Sequence, residues 1–131
     1  MIIDSSALVE ALLEAPRRVP VINAVAEAGR LLAGAPTIFE TEMVMTSRRG
    51  SKGPELVEAF LEAFELVEVP FSLEHRRAAT EAFTRFGKGR SPAALNFGDC
   101  LTYAIAKVEA EPLLCVGGDF ARTDLELVPL D

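Results

Sequence analysis

The stretch Met1-Ile2-Ile3-Asp4-Ser5-Ser6 sets an acid where an apolar run stops and a helix is about to begin. Three more acids, Glu40, Asp99 and Asp119, stand at junctions of the same kind. In an open α/β sheet the carboxyl ends of parallel strands and the starts of the following helices share one edge, the edge on which such folds bind ligands. Four carboxylates on that edge would form a site for a hard metal ion.

Working outward, short strand-like runs alternate with longer helical ones. Met1 to Ile3 reads as a buried strand and Ser6 to Leu13 as a helix with Ala7, Leu8, Ala11 and Leu12 on one side, ended near Pro16. A second helix is expected over Val21 to Leu32. Pro36-Thr37 opens a third, with Thr37 as N-cap and Glu40 three residues on, and Arg48-Arg49-Gly50 closes it with positive charge and a C-cap glycine. Pro54 starts a fourth, Glu55 to Phe64, whose glutamates at 55, 58, 62 and 65 form a polar face. Leu66 to Val69 is a short strand. Ser72 begins an arginine-rich helix that ends at Gly87-Lys88-Gly89, and Asn96 begins another that runs to about Ala110. Pro112 introduces a strand, Leu113 to Val116, and Leu125 to Val128 reads as a last edge strand. Strands interleaved with helices predict an α/β fold with a parallel sheet covered on both sides, and that geometry brings the four acids together.

A chain of 131 residues, half of them hydrophobic, is one ordinary domain with a real core, and residues 1–131 are expected to form it without a linker. The uncharged stretches are far short of a bilayer span and no basic-then-apolar leader is present, so a cytoplasmic, non-membrane protein is expected. Cys100 and Cys115 then read as two buried reduced thiols. No Cys/His spacing suits zinc, and the single His75, beside Arg76 and Arg77, reads as a surface residue. The net charge of −7 argues against bulk electrostatic binding of nucleic acid. Eight of the 13 basic residues nevertheless fall between Arg48 and Arg90, either as solvated helix faces or as a positive rim beside an acidic pocket.

Each acid has a structural alternative. Thr37-x-x-Glu40 and Asn96-x-x-Asp99 match a capping box or its close variant. Asp119, in Gly117-Gly118-Asp119-Phe120, suits an ordinary turn. Asp4 is harder to dismiss, because an aspartate ending a buried strand costs several kcal/mol to desolvate without a partner, and no basic residue is near it in sequence. Clustered carboxylates raise one another's pKa and stay ionised only if a cation neutralises them. Carboxylates without histidine or thiolate suit Mg²⁺ or Mn²⁺, and phosphodiester hydrolysis is the natural chemistry of such a site.

The opening Met-Ile-Ile-Asp-Ser-Ser-Ala-Leu, the start Ala-Pro-Thr-Ile-Phe-Glu, the run Leu-Asn-Phe-Gly-Asp-Cys-Leu-Thr-Tyr-Ala and the late Gly-Gly-Asp-Phe-Ala-Arg-Thr-Asp together resemble a PIN-domain ribonuclease, most of all the VapC-type toxins of bacterial toxin-antitoxin pairs. The resemblance spans the chain. It implies a PIN-like α/β/α sandwich, RNA cleavage dependent on Mg²⁺ or Mn²⁺, a homodimer, and neutralisation by a small VapB-type antitoxin. Its acids fall on Asp4, Glu40 and Asp99, with the accompanying serine on Ser6. The family often shows Thr-x-Asp-x-Asp-Phe after the late strand, whereas Val116-Gly117-Gly118-Asp119-Phe120 keeps only the last aspartate. Asp119 is therefore the expected fourth ligand and Asp124 the fallback.

Glu42 competes with Glu40, but two helical residues two apart differ by about 200° in direction, so one of them faces the pocket, and Glu40 has the better claim. Ser6 and Asn96 are either accessory site groups or plain N-caps. Arg85, Lys88 and Arg90 flank a glycine-containing loop and are candidates for the RNA backbone. Tyr103 and the phenylalanines offer stacking surfaces, most of which belong to the core. The seam Leu56, Phe60, Leu61 and Phe64, with Leu8 and Leu12, reads as core, although apolar grooves between early helices receive the antitoxin in the toxins that the chain resembles. A catalytically weak PIN-fold interaction module is the alternative function. A phosphoacceptor receiver domain is a weak third reading, since the early adjacent acid pair and late lysine it needs are missing.

Overall fold

A computed structural model describes residues 1–130. Among the described residues four strands and six α-helices follow one another: β1 (Ile2–Ile3), α1 (Ser5–Leu12), α2 (Arg18–Glu27), β2 (Leu32–Gly34), α3 (Ala35–Arg49), α4 (Gly53–Ala63), β3 (Val67–Val69), α5 (Leu73–Phe86), α6 (Phe97–Glu109) and β4 (Leu113–Leu114). The strands form one sheet in the order β3-β2-β1-β4. All its pairings are parallel, with Ile2 opposite both Leu32 and Leu113. Among the described residues no helix is long and apolar enough to cross a membrane.

The pleat divides the core. Successive strand residues point to opposite faces, so Ile3, Ala33 and Leu114 join Ala7, Leu8, Val21, Val25, Ile38, Val57 and Phe60 on one side. On the other side Ile2, Leu32, Val69 and Leu113 meet Ala82, Leu95, Tyr103, Ile105 and Ala106. With α1 to α4 over one face and α5 and α6 over the other, β1, β2 and β4 are buried on both sides and read as apolar runs, whereas the edge strand β3 exposes Val67 and Glu68 and buries Val69. The architecture is the expected α/β/α sandwich with a central parallel sheet.

Several local expectations change. The helix expected over Val21 to Leu32 ends at Glu27, and the apolar Leu32–Gly34 is a central strand. A three-residue buried strand has too few positions for a period of two to stand out against a helical pattern. Gly34 leads straight into α3, and a Cβ there would stand 2.7 Å from Cγ1 of Ile105, so glycine lets α6 approach the end of β2. Consequently α3 begins at Ala35, with Gly34 and not Thr37 as its N-cap, and Glu40 lies in the second helical turn. Leu125 to Val128 contributes a single parallel bridge, Leu113 with Leu127, in place of an edge strand. His75 is buried at 5 % exposure, not a surface residue: it is the N3 residue of the capping box of α5, where its Nδ1 accepts from the Ser72 amide at 2.9 Å. Of the apolar seam on α4, Phe60 is buried and Leu56 is exposed. The closing Gly50 has φ 66°, a left-handed value that glycine adopts without strain, as expected of this C-cap.

Candidate metal centre

Asp4 ends β1 and caps α1 itself: its Oδ2 accepts from the Ser6 amide at 3.1 Å. Ser6 is therefore not the cap; its Oγ accepts from the Val116 amide at 3.0 Å and ties the loop after β4 to the start of α1. Asp4 is only 5 % exposed. Its other oxygen accepts from the Thr102 hydroxyl at 2.7 Å, and Thr102 in turn lies 3.1 Å from the Thr37 hydroxyl. The sequence reading passes over Thr102 and takes Thr37 only for an N-cap. A signal for them exists in retrospect, since Thr37 precedes Glu40 by three residues and Thr102 follows Asp99 by three, which puts each on its acid's helix face.

Asp99 occupies N3 of α6 in a reciprocal capping box: Oδ2 accepts from the Asn96 amide at 3.1 Å, and Asn96 Oδ1 accepts from the Asp99 amide at 2.9 Å. Capping and site membership are thus not alternatives here. Glu40 comes from across the groove between α3 and α6, where a Cβ on Gly98 would stand 2.7 Å from its Oε2. Glu42 faces elsewhere, towards Phe39, Met43, Thr46 and Pro54. Asp119 sits exposed on the loop after β4.

The electrostatics report how these acids converge. Burial lifts the Asp99 carboxyl to about 6; the hydrogen bond from Asn96 opposes the rise, and the charges of Asp119, Asp4 and Glu40 add to it. The Cys115 thiol, pushed up to about 11, is raised first by burial and then by Asp4, Asp119 and Asp99. Burial followed by Asp99 also raises Cys100. Both cysteines are free and remain protonated thiols at neutral pH, with Cys115 half-buried. Among the described residues none of the four acids forms an ion pair with a cationic side chain.

Asp124 lies in a different setting. Its Oδ1 accepts from the buried Tyr103 hydroxyl at 2.7 Å, and its Oδ2 from Lys107 at 2.8 Å and Arg85 at 3.3 Å. Partial burial acts to raise its pKa, but the hydrogen bonds from Lys107 and Tyr103 and the charges of Lys107 and Arg85 outweigh it and hold the carboxyl near 2. Arg85 also pairs with Glu81 and lies 4.7 Å over the Phe86 ring. The structure therefore joins Arg85 to Asp124 and not to the four-acid edge. Tyr103 is 1 % exposed, so its ring offers no stacking surface.

The donor set is all oxygen, uncompensated by cations and served by no histidine or thiolate, which is the chemistry that Mg²⁺ and Mn²⁺ select. Among the described residues no three His, Cys, Asp or Glu side chains are placed so that they could hold a metal ion between them as they stand. A Mg²⁺ held here would reach the more distant carboxylates through the waters it retains.

Comparisons with known proteins agree with the architecture. Residues 1–126 match the PIN domain family. The ribonuclease VapC36 of Mycobacterium tuberculosis is 44 % identical over 127 residues, covering 96 % of this chain and 91 % of that protein. A VapC ribonuclease of Mycolicibacterium smegmatis is 38 % identical, with 98 % and 99 % covered. Among solved structures, the sarcin-ricin loop cleaving toxin VapC20 of M. tuberculosis superposes with a TM-score of 0.80 at 15 % identity, covering 97 % of each chain. VapBC2 of Rickettsia felis, bound to a promoter DNA fragment, gives 0.79 at 16 % identity, covering 99 % of this chain and 98 % of that one; at such identities these two likenesses speak for the fold alone. With the family matched over nearly its whole length and its relatives well above 30 % identity, this chain belongs to the PIN-domain family and to its VapC branch.

Proposed function

We propose that the protein is a VapC-type toxin, a metal-dependent endoribonuclease that cleaves cellular RNA and is held in check by a small VapB-type antitoxin. The observation that carries the reading is that Asp4 at the end of β1, Asp99 at the start of α6, Glu40 packed against Gly98 of α6 and Asp119 on the loop after β4 share the carboxyl edge of the sheet, with no side-chain cation paired to any of them among the described residues. Such a cluster is costly to keep ionised and gains stability when a divalent cation enters. The relatives named above as VapC ribonucleases support the activity, and the antitoxin partner follows from membership of the VapC branch.

In this reading Asp4, Glu40, Asp99 and Asp119 hold the cation. The chemistry that a bound Mg²⁺ or Mn²⁺ supplies at such a site is a water activated near neutral pH and charge neutralisation at the scissile phosphate and leaving oxygen. The chain's own task is to fix the donors. Thr102 and Thr37 orient Asp4, the Asn96 cap orients Asp99, Gly98 makes room for the Glu40 carboxylate, and Ser6 anchors the loop that carries Asp119. Hydrogen bonds of this outer kind commonly matter 10–100-fold to affinity or activity (roughly). Exposed Phe39 and Met43 on α3 offer apolar surface for the homodimer that the family resemblance implies.

A weakly catalytic interaction module is the second reading, favoured by the absence, among the described residues, of three acidic, His or Cys side chains placed to hold a metal ion between them. Titrating purified protein with Mn²⁺ alongside RNA cleavage decides between them. Cleavage that rises with Mn²⁺, stops in EDTA and vanishes in Asp99→Asn supports the nuclease; Mn²⁺-independent or absent cleavage refutes it.

A further inference from the structure

Phe97 is 82 % exposed, more than any other large apolar side chain among the described residues. It opens α6 two positions before Asp99 and parts two grooves. One, of about 510 Å³, is walled by Phe39, Met43 and Leu101, with Glu40 its only charged residue. The other, of about 580 Å³, is walled by Phe71, Phe83 and Leu95 and carries Arg76 and Lys88. Neither cation forms an ion pair among the described residues. Arg90 adds a third positive group, its guanidinium 5.3 Å over the Phe83 ring. Asn96 lines this second groove and is bonded to Asp99, so the groove opens directly beside the acids.

Aromatic walls joined to unpaired cations on a chain of net charge −7 select a ligand that is planar and apolar in one part and anionic in the next. A single RNA strand has that alternation. We infer that the groove between α5 and the start of α6 is a nucleobase subsite: an unpaired base beside the scissile phosphate stacks on Phe97 and Phe83 while Arg76 and Lys88 hold neighbouring phosphates. The inference rests on the ribonuclease reading and extends it. It assigns substrate positioning to Phe97 and distinguishes this groove from the one holding Glu40, whose charge repels a phosphate.

The test measures binding of a fluorescein-labelled single-stranded oligoribonucleotide to the Asp99→Asn protein by anisotropy, with wild-type cleavage of the same strand in Mn²⁺ run in parallel. Adding Phe97→Ala should weaken binding roughly tenfold or more, the scale of one lost base stack. Arg76→Gln and Lys88→Gln should each reduce the slope of log affinity against log salt by about 0.7. An abasic replacement at the responsible nucleotide should reproduce the Phe97→Ala loss and not add to it. Phe97 has no core role to lose, so unchanged affinity in Phe97→Ala overturns the subsite. If wild type cleaves while Phe97→Ala and the abasic strand bind normally, the subsite falls and the nuclease stands; if Phe97-dependent binding holds without cleavage, the subsite stands and the nuclease falls. A Phe97→Ala protein that binds RNA normally but loses an acidic protein partner marks the groove as a protein surface and also overturns the proposal.

Discussion

Replacing Asp99 by Asn removes one negative charge from the acidic edge while keeping an oxygen for the Asn96 amide, so the cap survives. In the metal-free protein Asp99 titrates near 6, against 3.8 in the unfolded chain. Between these values the native state holds a proton that the unfolded state has released, so stability falls as pH rises from about 4 to about 6 and levels off above. The separation corresponds to about 3 kcal/mol at most, because Asp99 is 8 % exposed and burial is the leading cause. In EDTA at pH 7.5, Asp99→Asn should therefore melt above wild type, by roughly 10 °C as an upper bound for a domain of this size. Below pH 4 the two curves should converge. Saturating Mg²⁺ should raise wild type by linkage and leave the variant nearly unmoved. Thermal melts from pH 4 to 8, with EDTA and with Mg²⁺, measure all of this. Parallel curves for the two proteins, or a variant less stable at pH 7.5 without metal, would refute the electrostatic reading and leave Asp99 a plain helix cap.

Glu40→Gln should impair Mn²⁺ binding and cleavage far more than Glu42→Gln, as read by calorimetry and a cleavage assay, because Glu40 lies against Gly98 whereas Glu42 points to the Phe39 side; equal effects would contradict the placement of α3. Thr102→Val keeps every charge yet frees an oxygen of Asp4, so metal affinity should drop about 10–100-fold with the fold retained; an unaltered Mn²⁺ isotherm would show that Asp4 needs no orienting partner. Asp119→Asn should weaken Mn²⁺ binding, whereas Asp124→Ala should leave it intact and instead destabilise the protein by about 1–3 kcal/mol through the orphaned Tyr103 hydroxyl; denaturant melts beside metal titrations separate the two, and a metal defect in Asp124→Ala would reverse the assignment. A partner arginine paired with Asp4, Glu40 and Asp99 would compete with the cation, so inhibition by the product of the adjacent reading frame should weaken as Mn²⁺ rises; metal-independent inhibition would place the partner elsewhere.

What was legible in the chain was whatever depends on residue type and short spacing. Asp4 after Ile2-Ile3, Asn96 three before Asp99 and the glutamates of α4 all show in the sequence because caps and faces repeat at local intervals, and the structure has each of them. The wrong boundary at Leu32 and the misplaced start of α3 share one cause: a strand of three residues running straight into a helix carries no loop signal, and its burial comes from α6 through Gly34. The burial of His75 is hidden for a related reason, since flanking arginines say nothing about which way the middle side chain turns.

The sequence by itself determined the inventory: an all-oxygen set of acids near element junctions, an acidic chain with most of its cations gathered in one stretch, and an interleaving of strands and helices that points to a parallel sheet covered on both faces, although the central strand β2 was not among the strands it showed. Tertiary structure alone decided which groups meet. Thr102 reaches Asp4 across 98 positions, Ser6 reaches Val116 across 110, and Arg85 is drawn to Asp124 and away from the acid edge. Local interactions act over a turn of helix and can be read from spacing, but these contacts depend on the order in which β1, β2 and β4 pair, and only the folded sheet sets that order.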